Sequence, residues 1–294
     1  MQFIYLALAV ITSGMSGVFY KKASTACNNK TASAIVPVLW HLPLAVVFGV
    51  AALLTGGIDA SLQVILPALL AGVSYAVCGF CLLESMKSNS YSIAIIIVNL
   101  SFVFPVIMSM LFLNQQPHIV QLIGMILAIA VIVFINIGVK GGKNSVIALI
   151  FAVLSSLGNG TIDFAITLQQ HNMPGEGENS FFFFSYVFAA VICVIAYGAM
   201  AITGKKTEIE KKDIKTLATS ACGIAVCNGV CFFTISLLTN FMNAAAQFTV
   251  ITALSIMISL LVGCIKMKEK IRPKEAVSLV FCAIAIACQY MNLV

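Results

Sequence analysis

The chain has 294 residues, of which 61% are apolar and 9% charged, and its mean hydropathy is +1.07. Soluble domains carry about a quarter charged residues, so this composition excludes a soluble globular protein and indicates an integral membrane protein. The net charge of +6 comes from 16 Lys and Arg against 10 Asp and Glu. The Lys and Arg residues fall between apolar stretches, as charges that set membrane topology and contact anionic lipids do. We therefore expect a lipid bilayer as partner and no nucleic acid.

Ten apolar stretches are long enough to cross a hydrocarbon core of about 30 Å as helices. They cover residues 3–20, 32–54, 62–83, 91–113, 118–138, 145–168, 180–203, 214–238, 242–265 and 273–293. The blocks of alternating hydrophobicity that an outer-membrane barrel needs are missing from the sequence. We predict an all-α integral membrane protein with ten transmembrane helices. No positive charge precedes the first stretch, so it is predicted to be a retained helix.

The Lys and Arg residues all fall in the loops after the first, third, fifth, seventh and ninth predicted helices, or within two residues of those loops. Cytoplasmic loops carry an excess of Lys and Arg, so these loops are predicted to be cytoplasmic. We expect a multi-pass protein of the cell (plasma) membrane with both termini outside. The acidic loop at 171–180 then also lies outside.

Two segments of the first half resemble segments of the second half. Residues 9–17 align with residues 152–160, and residues 115–124 align with residues 269–278. Five helices per half invert the second half relative to the first, which is an arrangement typical of transporters. We predict two inverted five-helix repeats, at 1–139 and 140–294.

The closing helices of each half carry a family resemblance. Residues 243–290, with Lys268, Glu269 and Lys270 before the last helix, and more loosely residues 90–135, are similar to the drug/metabolite transporter superfamily in its ten-helix EamA-type branch. One departure is that the glutamate usual at the turn between helices four and five is present as Glu269 but replaced by Gln115 in the first half. The resemblance implies a central cavity formed by helices one to four and six to nine, with helices five and ten peripheral.

Polar and small residues recur at helical spacing on the first and sixth predicted helices. On the sixth helix they are Ser156, Asn159, Gly160, Asp163 and Thr167; on the first they are Ser13, Ser16, Gly17, Tyr20 and Ser24. Residues three and four apart share one face of a helix. We predict that the two faces line a shared aqueous cavity; the alternative is close helix packing through small residues.

Three titratable residues are candidates for proton coupling. Asp163 lies about 27 Å along its helix from Ser145, toward the outer end; it is predicted to bind a cationic or zwitterionic substrate or exchange a proton, with contact to headgroup water as the alternative. His41, near the centre of the second helix, is predicted to hydrogen-bond substrate or shuttle protons, unless it is a neutral packing histidine. Glu84, three residues before Lys87, is the third candidate, with a surface ion pair as the alternative.

Further polar and aromatic residues at mid-depth complete the predicted site. The candidate substrate-binding residues are Ser13, Ser16, Tyr20, Trp40, His41, Asn99, Asn159, Asp163, Asn228, Thr249 and Thr252. The run Phe181 to Phe184 is interpreted as an interfacial or lipid-facing belt, with aromatic contacts, which Tyr186, Tyr20 and Trp40 could also supply, as the alternative. Of the ten cysteines, the pair Cys78 and Cys81 has metal-site spacing but lacks a second pair. We predict no catalytic site, no metal site and no cofactor.

These features predict a secondary transporter of small polar or zwitterionic metabolites such as amino acids, working by alternating access, with proton coupling as a further hypothesis. Alternatives are a transporter of organic cations or of neutral metabolites such as sugars, a channel, and an intramembrane enzyme acting on a lipid-linked substrate. The enzyme alternative is disfavoured because the sequence shows no convergent catalytic set. We expect a small-molecule substrate and a monomer or weak dimer.

Overall fold

The computed structural model describes residues 2–88, 94, 97–136, 143–203, 209–210 and 213–266, with isolated positions beyond residue 276. Within these residues the secondary structure is helical. The helices are α1 (Gln2–Ala26), α2 (Lys30–Ile35), α3 (Val38–Leu54), α4 (Leu62–Ser88), a 3-10 turn (Asn99–Phe102), α5 (Val103–Phe112), α6 (Ile119–Asn136), α7 (Lys143–Asn172), α8 (Glu178–Ile202), α9 (Ile214–Leu238) and α10 (Ala244–Lys266).

Six helical segments in the described part of the chain are long and apolar enough to cross a membrane. They are Gln2–Ala26, Lys30–Leu54, Leu62–Lys87, Val146–Asn172, Glu178–Ile202 and Ile214–Leu238. These match the first, second, third, sixth, seventh and eighth predicted helices. The fourth is described in part, as the 3-10 turn and α5, while α6 and α10 match the fifth and ninth. The tenth, at 273–293, lies outside the continuous described ranges, so the count of ten stays a prediction.

Several helices run further than the apolar stretches that predicted them. Helix α1 continues to Ala26, α4 to Ser88, and α7 from Lys143 to Asn172. Hydropathy detects only the part of a helix that lies in hydrocarbon, whereas the backbone hydrogen bonds continue into the polar region. The extra turns carry polar and charged residues such as Lys21, Lys22 and Lys87 at helix ends.

The loops gather at two opposite ends of the bundle. At one end, which we call the lysine end, Lys87 Nζ donates to the carbonyl of Asn29 (3.1 Å) and Lys21 Nζ to the carbonyl of Met86 (2.5 Å). At the opposite end, the Asp59 amide donates to Ser180 Oγ (2.9 Å). Alternate loops therefore lie at opposite ends, as consecutive antiparallel helices require.

Helix pairs pack in a pattern that repeats when the two halves are exchanged. Helix α4 packs along α7, and α1 packs along α9. In the predicted halves, α1 and α7 are the first helices, and α4 and α9 are the third. Each of the two interfaces thus joins the first helix of one half to the third helix of the other, so the interfaces correspond when the halves are exchanged. Helices α3 and α8, each the second of its half, also pack together. The outer surface carries large exposed apolar side chains such as Leu54 and Ile195, which suits contact with lipid.

Candidate functional site

A small cavity lies at the centre of the bundle, between α1, α3, α4, α7, α9, α10 and the 3-10 turn. Its volume is about 90 Å³. Nine residues singled out from the sequence line it: Ser13, Ser16, Tyr20, His41, Asn99, Asn159, Asp163, Asn228 and Thr252. The structure thus brings together polar residues from both halves. Their binding of a substrate remains a prediction.

Asp163 contributes its carboxylate to the cavity from α7. The side chain is 5% exposed, and among the described residues its Oδ1 has no hydrogen-bond partner. Tyr75, Cys78 and Cys231 line the same cavity. Because α7 extends to Asn172, the carboxylate lies about 13 Å from that end of the helix. It therefore sits deeper within the helix than the shorter apolar stretch suggested.

His41 is buried at the aromatic side of the cavity, with an exposed fraction of 2%. Its ring stacks on Tyr186 (5.9 Å between centroids, 26° between planes) and contacts Tyr75 (5.9 Å) and Trp40 (5.8 Å). Neither ring nitrogen has a hydrogen-bond partner among the described residues. The imidazole therefore keeps both its donor and its acceptor capacity for a molecule that enters the cavity.

Two asparagines link the halves across the cavity. Asn159 Nδ2 donates to Ser101 Oγ (2.9 Å), and Asn228 Nδ2 donates to the Tyr20 hydroxyl (2.8 Å). The first bond depends on the neighbouring Gly160, where a Cβ would approach the carbonyl oxygen of Ser101 to 2.6 Å. A glycine is needed there because α7 crosses the 3-10 turn at backbone contact distance. These bonds orient the amides and leave their carbonyl oxygens available as acceptors.

Three predicted site residues do not line the cavity. Trp40 is fully buried behind it, edge-on to Tyr20 (5.6 Å, 81°). Thr249 is also fully buried, in α10. Glu84 lies at the lysine end, where its carboxylate pairs with Lys87 at 2.5 Å. The structure thus shows the ion pair given as the alternative for Glu84, but Glu84 is 8% exposed, so the pair is largely buried and not on the surface.

Aromatic residues that the sequence did not single out complete the lining. Tyr75, Phe232 and Phe248 line the cavity, and the Tyr75 ring meets Phe232 edge-on (5.3 Å, 80°). Tyr75 and Cys78 stand three residues apart on α4, so helical spacing is the one signal that points to them. The aromatic belt prediction is wrong for part of its run: Phe181 and Phe182 are 0% exposed and pack in the protein core.

The cavity is acidic in its formal charge. Among its described lining residues Asp163 is the one carboxylate, and none is Lys or Arg. The remaining polar groups are hydroxyls, amides, the separate thiols of Cys78 and Cys231, and one imidazole. Such a set offers hydrogen bonds in both senses together with a site for positive charge.

Comparison with known proteins gives a family match and a fold match. Residues 1–137 match the EamA-like transporter family. No curated protein matches the sequence. A solved crystal structure, described only as that of a protein, is similar over 97% of this chain and 99% of its own, with a TM-score of 0.63 and 11% sequence identity. At that identity the likeness shows the fold alone. The first half of the chain is thus similar to EamA-like transporters.

Proposed function

We propose that the chain is a secondary transporter of small polar or zwitterionic metabolites, of the amino-acid kind, that works by alternating access. The observation that carries the proposal is the central cavity, which both halves line with polar groups while the surrounding helices are apolar. A ligand binding there contacts both halves at once. Rocking of one half against the other would then change which end of the bundle is open.

The inverted repeat is part of this proposal, with units at 1–139 and 140–294. The exchange symmetry of the helix contacts supports it, since α1 with α9 and α4 with α7 are equivalent pairs. The two asparagine bonds also join one half to the other. A ten-helix chain acting as a monomer or weak dimer completes the proposed architecture.

Polar contacts join helices at both ends of the bundle. At the lysine end, Lys21 joins α1 to the backbone of α4. At the opposite end, Gln170 of α7 donates to Ser236 of α9 (2.7 Å). Alternating access requires that one of these sets opens while the other holds. Single polar contacts between membrane helices contribute about 0.6 kcal/mol on average, so either set is weak enough to open.

We propose Asp163 as the proton-exchanging group. Opening the cavity to water at either end would change the hydration of this carboxyl group, which is the change that proton exchange requires. His41, on the same cavity, is the second candidate. Glu84 pairs with Lys87 and is not among the residues that line the cavity, so it is the weakest of the three.

Uptake by purified protein in proteoliposomes tests the function. We expect the wild type to accumulate at least one labelled amino acid above empty liposomes, and more so with an imposed pH gradient. Asp163→Asn removes the exchangeable proton, so the pH-gradient dependence should disappear, whereas Glu176→Gln, a control carboxylate in an exposed loop, should retain it. Absence of uptake across a broad metabolite panel would contradict the function. Unchanged uptake and pH dependence in Asp163→Asn would contradict the role of the carboxylate.

The orientation is a separate proposal, with the lysine end in the cytoplasm and both termini outside. The native Cys27 is a poor probe of it, because it is 2% exposed and burial raises the pKa of its thiol to about 11. Engineered Glu176→Cys should instead react with a membrane-impermeant maleimide on intact cells. Glu210→Cys, near the other end, should react only after permeabilisation. The reverse pattern would overturn the orientation, and unmodified protein gives the background.

A further inference from the structure

The cavity faces Asp163 with a wall of aromatic rings. Five of its lining residues have rings: Tyr20, His41, Tyr75, Phe232 and Phe248. Tyr75 lines the same small cavity as Asp163, and its ring packs against the Tyr186 ring at 4.9 Å between centroids. Tyr186, in turn, stacks on His41. Four of the five rings, those of Tyr20, His41, Tyr75 and Phe232, thus pack against another aromatic ring.

The carboxylate lacks a positive partner within the described protein. Its Oδ1 has no hydrogen-bond partner there, and the described lining residues include no Lys or Arg. A buried carboxylate is costly unless it is paired or hydrogen-bonded. In its ionised form the carboxylate would therefore take its positive partner from a bound molecule, which replaces the exchangeable proton.

Resting on the proposed transport function, we propose that the ligand of this cavity carries an ammonium group, which binds between the Asp163 carboxylate and the Tyr75 ring. The carboxylate supplies the charge, and the ring supplies a cation–π contact. Neutral sugars would leave the carboxylate without a charged partner. Phosphates and other anions would be repelled by it.

The size of the cavity limits the group that fits. A volume of about 90 Å³ is well below the roughly 300–1,000 Å³ of sites for drug-sized ligands. At this volume the cavity accommodates an ammonium head group with a few carbon atoms. The hydroxyls of Ser13, Ser16 and Thr252, which also line it, then provide acceptors for the ammonium protons or donors for a carboxylate of a zwitterion.

Trp40 provides a direct readout of ligand binding. It is the single tryptophan of the chain, and its ring contacts two lining residues, Tyr20 and His41. Its Cζ2 also comes within 3.5 Å of where a Cβ on the lining residue Gly79 would lie. A ligand that enters the cavity should therefore change tryptophan emission of the purified full-length protein, and Trp40→Phe should abolish the signal.

Two matched pairs of probes separate charge from shape. Choline and 3,3-dimethyl-1-butanol share a shape, as do butylammonium and 1-butanol, but one member of each pair is cationic. We expect at least one cation to bind about tenfold more tightly than its neutral partner, because the buried carboxylate is charge-complementary only to the cation. Equal binding within both pairs, or no change in emission with any cation, would overturn the proposal.

Variants test the Asp163 carboxylate and the Tyr75 ring separately. Asp163→Asn should lose the preference for the cation, while Tyr75→Leu should weaken cation binding about fivefold to thirtyfold. Tyr75→Phe keeps the ring and should bind nearly as tightly as the wild type, which also controls for folding. A Tyr75→Leu variant that is folded and binds cations as tightly as Tyr75→Phe would overturn the role of the ring.

Different results would contradict the ammonium site and the transport function. Saturable uptake of a neutral metabolite by proteoliposomes, combined with equal binding of both members of each pair, overturns the ammonium site and leaves transport intact. A clear preference for cations in the fluorescence titration, combined with no uptake of any amine or amino acid, supports the site and contradicts transport.

Discussion

Gly72→Ala is expected to destabilise the protein by about 2–3 kcal/mol, while the same change at Gly198 should be neutral or stabilising. A Cβ on Gly72 would lie 2.5 Å from the Cβ of Phe188 and 2.9 Å from the carbonyl oxygen of Ser185. Backbone atoms cannot rotate away, so a methyl group at Gly72 separates α4 from α8 along their whole contact. Gly198, on α8, has no atom within 4 Å of its Cβ position among the described residues.

Gly198→Ala is the matched control for Gly72→Ala, because the same substitution is expected to change stability in the opposite direction. Removing a glycine from a helix interior is favourable by about 0.5–1 kcal/mol where space allows. Thermal unfolding in detergent, followed by the loss of monodisperse protein, measures both variants against the wild type. Equal shifts for the two would show that α4 and α8 are not in backbone contact. A lowered midpoint for Gly72→Ala alone would support the crossing, on which the position of Tyr75 depends.

The polar part of the cavity could be predicted because helical spacing is visible in sequence. Asn159 and Asp163 stand four residues apart on one helix, and Ser13 and Ser16 three apart on another. A polar face on a membrane helix is costly toward lipid, which predicts that it faces inward. The structure places all four residues on the same cavity.

The aromatic part could not be predicted in the same way. A Tyr or Phe on a membrane helix is compatible with lipid, with the interface or with the core, so its side chain carries no signal of direction. Tyr75 is placed by the packing of α4 on α7 and α8, and Phe182 by contact with Phe48 at 4.9 Å. Those contacts exist only after the helices assemble.

Helix length explains the remaining difference between sequence and structure. The apolar stretch at 145–168 ends before the helix does, because Gln169 and Gln170 continue it while their side chains bond to loop and helix partners. Gln169 Nε2 donates to the loop carbonyl of Glu176, and Gln170 Nε2 donates to Ser236 of α9, so both amides find partners within the protein. A depth measured from the apolar stretch alone therefore underestimates how far Asp163 lies from the end of its helix.

His41→Phe is expected to keep or raise thermal stability while lowering transport about tenfold. Both ring nitrogens of His41 are buried without partners among the described residues, and an unsatisfied buried polar group costs about 1–3 kcal/mol. A phenyl ring removes that cost and preserves stacking on Tyr186 at 5.9 Å. If the imidazole hydrogen-bonds substrate or shuttles protons, the same change removes an interaction worth about a factor of ten.

Two measurements on each variant separate these effects, namely the unfolding midpoint and the initial rate of proteoliposome uptake. His41→Ala serves as the control for loss of the ring, since a cavity left by a large buried side chain costs about 2–5 kcal/mol and should lower the midpoint. Stability and transport then move in opposite directions in His41→Phe and together in His41→Ala. A His41→Phe variant with undiminished uptake would instead identify His41 as a packing residue. Polar contacts with the substrate would then be assigned to Asp163 and the two asparagines.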